Sequence, residues 1–346
     1  MISLSCPAPI TGTGSVLLGH GSGGKLSAEL LRGIFLRAFD NPLLARLEDQ
    51  AVVEVAGARL AFTTDSFVVK PLFFRGGDIG SLAVHGTVND LAMGGAQPLA
   101  LSAAFILEEG FPLADLRRIT DSMARAAAAA GTTIVTGDTK VVERRSGDGV
   151  YVTTTGIGLV AAGVSLSAAQ ARPGDAVVLS GAIGDHGIAI LSAREGLELD
   201  GDIASDSAPL NGLVEAILAV TREVRAMRDP TRGGLASTLN EIAAQSHVGI
   251  TLSEDAIRVH AGVRGACEIL GLDPLHVANE GKLVALVPAD CADEIVQAMQ
   301  RHPLGREAAI IGAVTERDPG LVTMRTTFGT TRIVDMLAGD QLPRIC

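Results

Sequence analysis

The chain has 346 residues, 47% of them hydrophobic, which at roughly 150 residues per domain predicts two domains with sizeable cores. Acidic residues outnumber basic ones by 39 to 28, a formal charge of −11, and this balance excludes the basic face of a nucleic-acid binder. No apolar run approaches the ~18 residues of a membrane span, and the first residues lack the charged and apolar regions of a signal peptide.

Aromatic residues make up only 3%, so packing relies on Ala, Val, Leu and Ile, while 41 glycines predict tight loops and close backbone approach to a ligand. The four cysteines, Cys6, Cys267, Cys291 and Cys346, show no CxxC spacing, which suits a reduced, cytoplasmic protein rather than a zinc knuckle. Cys267 and Cys291 fall in helix-like segments and read as core.

Residues 1–14 form an irregular lead-in. Gly19 to Lys25 then matches the first positions of a P-loop, but Leu26 replaces the Ser or Thr that would meet magnesium, and no long strand precedes it. A P-loop is therefore rejected. What remains is a glycine-rich backbone, Gly21, Gly23 and Gly24, with Lys25 ahead of a helix from Leu26 to Phe39: a place to hold phosphate, or a glycine turn with a surface lysine. Ala51–Val55 and Leu60–Thr64 predict a hairpin whose second strand delivers Asp65 at its end. Asp78 is an N-cap for a helix that ends around Asp90. A carboxylate near a helix C-terminus opposes the macrodipole, so a cation partner explains Asp90 better than any structural role. Leu99–Leu107 reads as a strand and Pro112–Ala130 as a helix. Thr132–Thr136 reads as a strand exiting through Asp138, Lys140 and Glu143, and Val150–Val160 as a further strand.

The pattern breaks around 163–174. The expected domains are 1–163, 164–334 and a closing tail, 335–346. The second half restarts with a strand at Ala176–Ser180 and passes into a helix after Gly184-Asp-His-Gly187. Residues 208–220 are helical. The loop Arg228-Asp-Pro-Thr-Arg-Gly-Gly234 opens a helix running to Ser246, so Asp229 and its neighbours either bind an anion at a helix N-terminus or simply cap it. Glu280 precedes a buried strand at Leu283–Val287, an odd place for a purely structural acid. Helix Cys291–Gln300 and strands near Ala309–Val314 and Leu321–Thr326 complete this half, and beyond Phe328 the regular pattern is lost. The final dozen residues, extended, span about 40 Å at ~3.3–3.6 Å each. On its own, Pro343-Arg344-Ile345-Cys346 is either a frayed end or a tethered thiol.

Three separate element ends thus each bring an Asp: Asp65, Asp90 and Asp138. Clustered carboxylates without His or Cys suit a hard cation such as Mg²⁺, which commonly also binds nucleotide phosphates.

Taken together, His20 to Lys25, Thr64-Asp-Ser66, Val88-Asn-Asp-Leu-Ala-Met-Gly-Gly-Ala-Gln-Pro98, Thr136-Gly-Asp-Thr-Lys-Val141, Gly184-Asp-His-Gly187, Asp229-Pro-Thr-Arg-Gly-Gly-Leu235, Asn279-Glu-Gly-Lys282 and the closing Pro-Arg-Ile-Cys resemble the HypE family of hydrogenase maturation proteins. The likeness runs over essentially the whole chain, and the terminal tetrapeptide is specific to that family; aminoimidazole ribonucleotide synthetase and selenophosphate synthetase share the fold without the tail. The resemblance implies a two-domain α/β fold of the aminoimidazole ribonucleotide synthetase-like kind, a mixed sheet with helices in each domain, a mobile C-terminal tail, and a homodimer formed through the N-terminal domains. It implies that HypF carbamoylates the Cys346 thiol. ATP then drives dehydration of the thiocarboxamide to a thiocyanate, and cyanide passes to iron on a HypC–HypD complex. In that chemistry Asp65, Asp90, Asp138 and Asp229 would hold metal, and Gly21, Gly23, Gly24, Lys25, Asp65 and Asp90 the nucleotide. Lys140, Glu143 and Glu280 would orient or deprotonate the carbamoyl group on Cys346. A small-molecule synthetase or kinase of the same fold, and a carrier whose partners do the chemistry, are the competing readings.

Overall fold

The computed structural model describes residues 14–196, 203–337 and 345–346. Residues 1–13 of the expected lead-in, Cys6, and Pro343 and Arg344 of the tail lie outside them. Helix α1 (Lys25–Leu30) runs through a π turn at Leu31–Phe35 into α2 (Leu36–Ala38). The predicted hairpin is β1 (Ala51–Val55) and β2 (Ala58–Phe67). Next come β3 (Phe73–Phe74), β4 (Gly77–Asp78), α3 (Ile79–Met93), β5 (Ala96–Glu108), α4 (Leu113–Ala129), β6 (Ile134–Val142) and β7 (Val150–Val160). Asp78 caps α3 by accepting from Gly80 N at 2.8 Å and Ser81 N at 3.0 Å, and Ser81 Oγ accepts from Asp78 N in return.

The first sheet has the order β1-β2-β7-β5-β6, and only β5–β6 is parallel. Helix α3 packs on β2 and β7 and is buried almost all round, since its other side meets the second half of the chain. The opposite face of this sheet leaves Phe62, Leu99, Ile106, Ile157 and Leu159 exposed.

The second half comprises β8 (Ala176–Leu179), α5 (Asp185–Glu195), α6 (Asn211–Val220), β9 (Ala226–Arg228), α7 (Gly234–Ser246), β10 (Gly249–Ser253), α8 (Ala261–Leu270), β11 (Val284–Val287), α9 (Ala292–Arg301), β12 (Ala309–Thr315), β13 (Val322–Arg325) and β14 (Thr331–Val334). Their sheet has the order β14-β13-β10-β12-β8-β11-β9. Strands β8 and β11 are buried along their whole length, hence their unbroken Ala, Val and Leu. One apolar cluster, containing Phe67, Val69, Ile79, Ile188, Val277 and Ile345, joins both halves of the chain.

Three expectations need correction. Strand β6 does not stop at Thr136. Val141 and Val142 favour extended chain, and parallel pairing with β5 carries the strand past Asp138 and Lys140. Regular structure also continues beyond Phe328, because Thr331–Val334 folds back on β13 through a turn closed between Thr326 and Thr330. Cys291 stands just ahead of α9 and is only partly buried, whereas Cys267 is buried as expected.

Candidate active site

The site grows from the contact of β2 and α3. Thr63 and Asp65 alternate onto the face of β2 that α3 covers. The Thr63 hydroxyl lies 2.8 Å from Asp90 Oδ2 in the last turn of the helix and 2.9 Å from the carbonyl of Asp49. Two polar residues of α3, Asn89 and His85, point the other way. Asn89 donates to the carbonyls of Ala208 and Glu280 and accepts from Leu210 N at 2.8 Å. His85 Nδ1 meets Ser207 Oγ at 2.9 Å. The second half is thereby stitched to the same helix that presents Asp90.

Two loops of the second half bring further charge. Asp229 to Gly234 leaves β9 and opens α7, with Gly233 and Gly234 both left-handed. Asn279 ties this loop to its neighbours: its side chain donates to Pro230 O at 2.8 Å and accepts from Gly184 N at 2.8 Å. Glu280 follows, buried, with Oε1 lacking a hydrogen-bond partner among the described residues. Arg228 donates through its two terminal nitrogens to Asp49, Glu48 and the carbonyl of Leu47.

Asp49, Asp65, Asp90, Asp229 and Glu280 therefore share one buried region, and their protonation records the cost. Burial pushes Asp229 up to about 8, with Asp49 and Asp65 adding to the rise. Burial also lifts Asp90 well above the carboxylate range, helped by Asp229, Asp49 and Asp65. Glu280 rises strongly from burial and then from Asp229 and Asp65, against the pull of Arg232. Asp65 and Asp49 rise mainly through burial, offset by Arg232 and Arg228 respectively. Such a group of acids calls for a cation. Hard carboxylate oxygens without His or Cys fit magnesium. Among the described residues no three His, Cys, Asp or Glu side chains already close a cage on an ion. Magnesium does not require one, since it keeps waters and takes oxygens from phosphates.

The glycine-lysine loop sits at the rim. Gly23 has φ +74°, and a Cβ there would lie 2.6 Å from the carbonyl of Arg232. Arg232 Nη1 in turn donates to Gly21 O at 3.2 Å. Gly24 abuts the carbonyl of Leu337, to which Lys25 N donates at 2.9 Å, and Lys25 Nζ pairs with Asp335 at 2.6 Å.

The last residue completes the arrangement. Val68 N donates to Cys346 O at 2.9 Å, and Ile345 is only 5% exposed. Cys346 is half-buried and its thiol is held up at about 12. Burial is the chief cause, Glu280 and Asp65 add to it, and Arg232 opposes them. The thiol, a guanidinium and the carboxylates are thus neighbours.

Of the residues singled out from sequence, the structure brings together Asp65, Asp90, Asp229, Glu280 and Cys346, with Gly21, Gly23, Gly24 and Lys25 at their edge. It does not bring Asp138, Lys140 and Glu143 to them. Register places Asp65, Thr154, Ala103 and Gly137 in one row on one face, so Asp138 and Lys140 belong to the opposite face. Three strand spacings of about 4.8 Å separate that row's ends. Asp138 is fully exposed and pairs with Lys140, which holds its carboxyl below the usual range; Glu143 is exposed just past the strand. Sequence reasoning missed Asp49 as a member, and reached Arg232 only as part of a loop that either binds an anion or caps a helix. Asp49 carried the same signal as Glu280, an acid just ahead of a strand.

Two family models match the chain: "AIR synthase related protein, N-terminal domain" over residues 47–160 and "AIR synthase related protein, C-terminal domain" over residues 172–324. The carbamoyl dehydratase HypE of Azotobacter vinelandii is 60% identical over 333 residues, 96% of this chain and 98% of that one. HypE in a crystallised HypE–HypF complex is 51% identical with a TM-score of 0.85, over 89% of this chain and 99% of that chain. HypE crystallised with ATP is 49% identical with a TM-score of 0.81, over 96% of this chain and 100% of that chain.

Proposed function

This chain belongs to the HypE family within the AIR synthase related proteins, and from that membership we infer that it is an ATP-dependent carbamoyl dehydratase of hydrogenase maturation. The substrate is its own Cys346 carrying an S-carbamoyl group, and the product is a thiocyanate that gives the cyanide ligand to the hydrogenase iron. The observation that carries this reading is the Cys346 thiol docked among Arg232, Glu280 and Asp65. A carrier would need no such surroundings.

The bond changes define what the residues must do. The carbamoyl oxygen attacks the terminal phosphorus of ATP; an O–P bond forms, ADP leaves, and one proton leaves the nitrogen. The second N–H proton then departs, the nitrogen electron pair closes C≡N, and the C–O bond breaks to release phosphate. Asp65, Asp90, Asp229 and Asp49 are the residues we assign to the magnesium, which supplies charge neutralisation at the phosphates. Lys25 and the Gly21–Gly24 backbone hold phosphate oxygens. Arg232 stabilises charge beside the sulfur-bound carbon. We assign Glu280 as the base: Arg232 favours its ionised form and a bound cation would do so further, and its Oε1, without a hydrogen-bond partner among the described residues, is open to accept from nitrogen.

We place Asp138, Lys140 and Glu143 at a homodimer contact. Strand β6 is an exposed edge, and the adjoining sheet face bares Phe62, Leu99, Ile106, Ile157 and Leu159. A second copy on this face would cover both and lend those three side chains to a nucleotide site. HypF is the carbamoylating partner and a HypC–HypD complex the iron-bearing acceptor, in the cytoplasm. Among the described residues no helix is long and apolar enough to cross a membrane. The domain division we keep is 1–163, 164–334 and a tail, 335–346.

The test is to incubate the protein with HypF, carbamoyl phosphate and ATP, then weigh the C-terminal peptide. Loss of one water from the Cys346 adduct, dependent on ATP and abolished in Asp90→Asn, is the expected result. A Cys346→Ala variant that still matured hydrogenase would overturn it.

A further inference from the structure

The last two residues are gripped by their main chain. Val69 and Ile345 form an antiparallel bridge, and Val68 N donates to the Cys346 carbonyl at 2.9 Å. From the other side, His186 Nε2 lies 2.6 Å from the Ile345 carbonyl. A carbonyl can only accept, so Nε2 carries the ring proton, and Nδ1 is left to accept from the Ser205 hydroxyl at 2.8 Å. Phe74 meets the imidazole edge-on, its centroid 5.8 Å away. The ring is fully buried, so this tautomer is fixed on both nitrogens. The Ile345 side chain joins the apolar cluster of Val69, Ile188 and Val277 that welds the two halves of the chain. One jaw of the grip follows β2, and the other stands on α5.

We propose that His186 is a positioning residue for the dehydration: by fixing the carbonyl of Ile345, whose side chain is seated in the cluster, it sets the register that puts the Cys346 sulfur beside Arg232, Asp65 and Glu280. A slip of one residue would move the sulfur by about 3.3 Å and turn it to the other face of the extended segment. Reaction geometries tolerate about 0.5 Å. The proposal rests on the dehydratase reading of Cys346, but the grip itself can be measured without it.

In the full-length protein, alkylation of Cys346 by N-ethylmaleimide is followed by mass spectrometry of the C-terminal peptide, beside single-turnover water loss from the carbamoylated protein. His186→Leu and Ile345→Asp each speed alkylation tenfold or more and slow water loss by at least as much, with ATP affinity unchanged. His186→Gln, whose amide nitrogen can stand where Nε2 does, recovers most of both. Ile345→Asp lies at the chain tip, so its effect does not depend on how the buried His186 site tolerates substitution. Alkylation and water loss within twofold of wild type in both His186→Leu and Ile345→Asp would overturn the proposal. Faster alkylation in both variants, with no water loss even from wild type, would sink the dehydratase reading and leave the grip standing.

Discussion

The Thr63 hydroxyl lies 2.8 Å from Asp90 Oδ2 and 2.9 Å from the carbonyl of Asp49, so one proton serves two oxygens in the most acidic part of the site. Thr63→Val removes that donor at little cost in shape. A buried hydrogen bond to a carboxylate contributes about 1.5–3 kcal/mol, and its loss makes the ionised form of Asp90 dearer. Magnesium dependence of turnover should shift to higher concentration by roughly tenfold or more, with the fold intact by circular dichroism. An unchanged magnesium dependence would remove Asp90 from the cation site.

The raised carboxylates set a pH dependence with a definite sign. Asp229 rises from an ordinary 3.8 to about 8 in the fold, chiefly through burial. The folded form therefore binds a proton that the unfolded chain has already lost. Its stabilising contribution is full below about pH 4 and disappears as pH climbs to 8. Asp90 and Glu280 act in the same direction. In the absence of nucleotide and metal, the melting temperature of the protein should fall between pH 5 and pH 8. Each such group would contribute on the order of 1 kcal/mol per pH unit over its range. If magnesium binds the ionised carboxylates and carries ATP to them, the two together should flatten this slope and stabilise more at pH 8 than at pH 6. A nucleotide-free slope of opposite sign would contradict the proposed burial of these acids.

Lys25 pairs with Asp335 at 2.6 Å, and both are well exposed. If Lys25 holds phosphate, Asp335 competes with ATP for it. Asp335→Asn should then tighten ATP binding a few-fold, and Lys25→Ala should weaken it by tenfold or more. Both are measurable by calorimetry with a non-hydrolysable analogue. Equal affinities in the two variants would mean that Lys25 does not meet the nucleotide.

The bare sheet face is tested by charge. Ile157→Arg places a cation in the middle of it, beside Phe62 across the β2–β7 pairing. Light scattering should report a change from dimer to monomer, with the melting temperature little altered because the residue is 40% exposed in the single chain. A wild-type protein that is monomeric at micromolar concentration would dispose of the dimer.

How much of this could be read from residues alone depends on what each signal measures. The Asp78 cap, the β1–β2 hairpin and the helix carrying Asp90 are local features, and local chemistry gave them away. The misfit of a carboxylate at the end of a buried helix pointed to Asp90 before any neighbour was known. Strand β6 was misjudged because Gly137 and Asp138 look like a strand exit, while its true length is fixed by β5, distant in sequence. Glu280 and Asp49 each stand out locally as an acid just ahead of a strand, but that they share one site depends on two loops more than 200 residues apart meeting, and no spacing rule reports that. His186 hid for a related reason: its partner is the carbonyl of Ile345, and main-chain recognition leaves no trace in the identity of the residue recognised.

The docking of Ile345 and Cys346 also bears on what the enzyme does when it has nothing to dehydrate. Held there by Val68 and His186, the unmodified thiol is pushed up to about 12 and stays protonated, so it is a poor nucleophile in this seat. The same contacts that would aim a loaded sulfur thus keep an empty one inert toward chance electrophiles. Under the proposed reaction, loading would require the chain end to leave this seat, and the grip on its main chain sets how readily it does so.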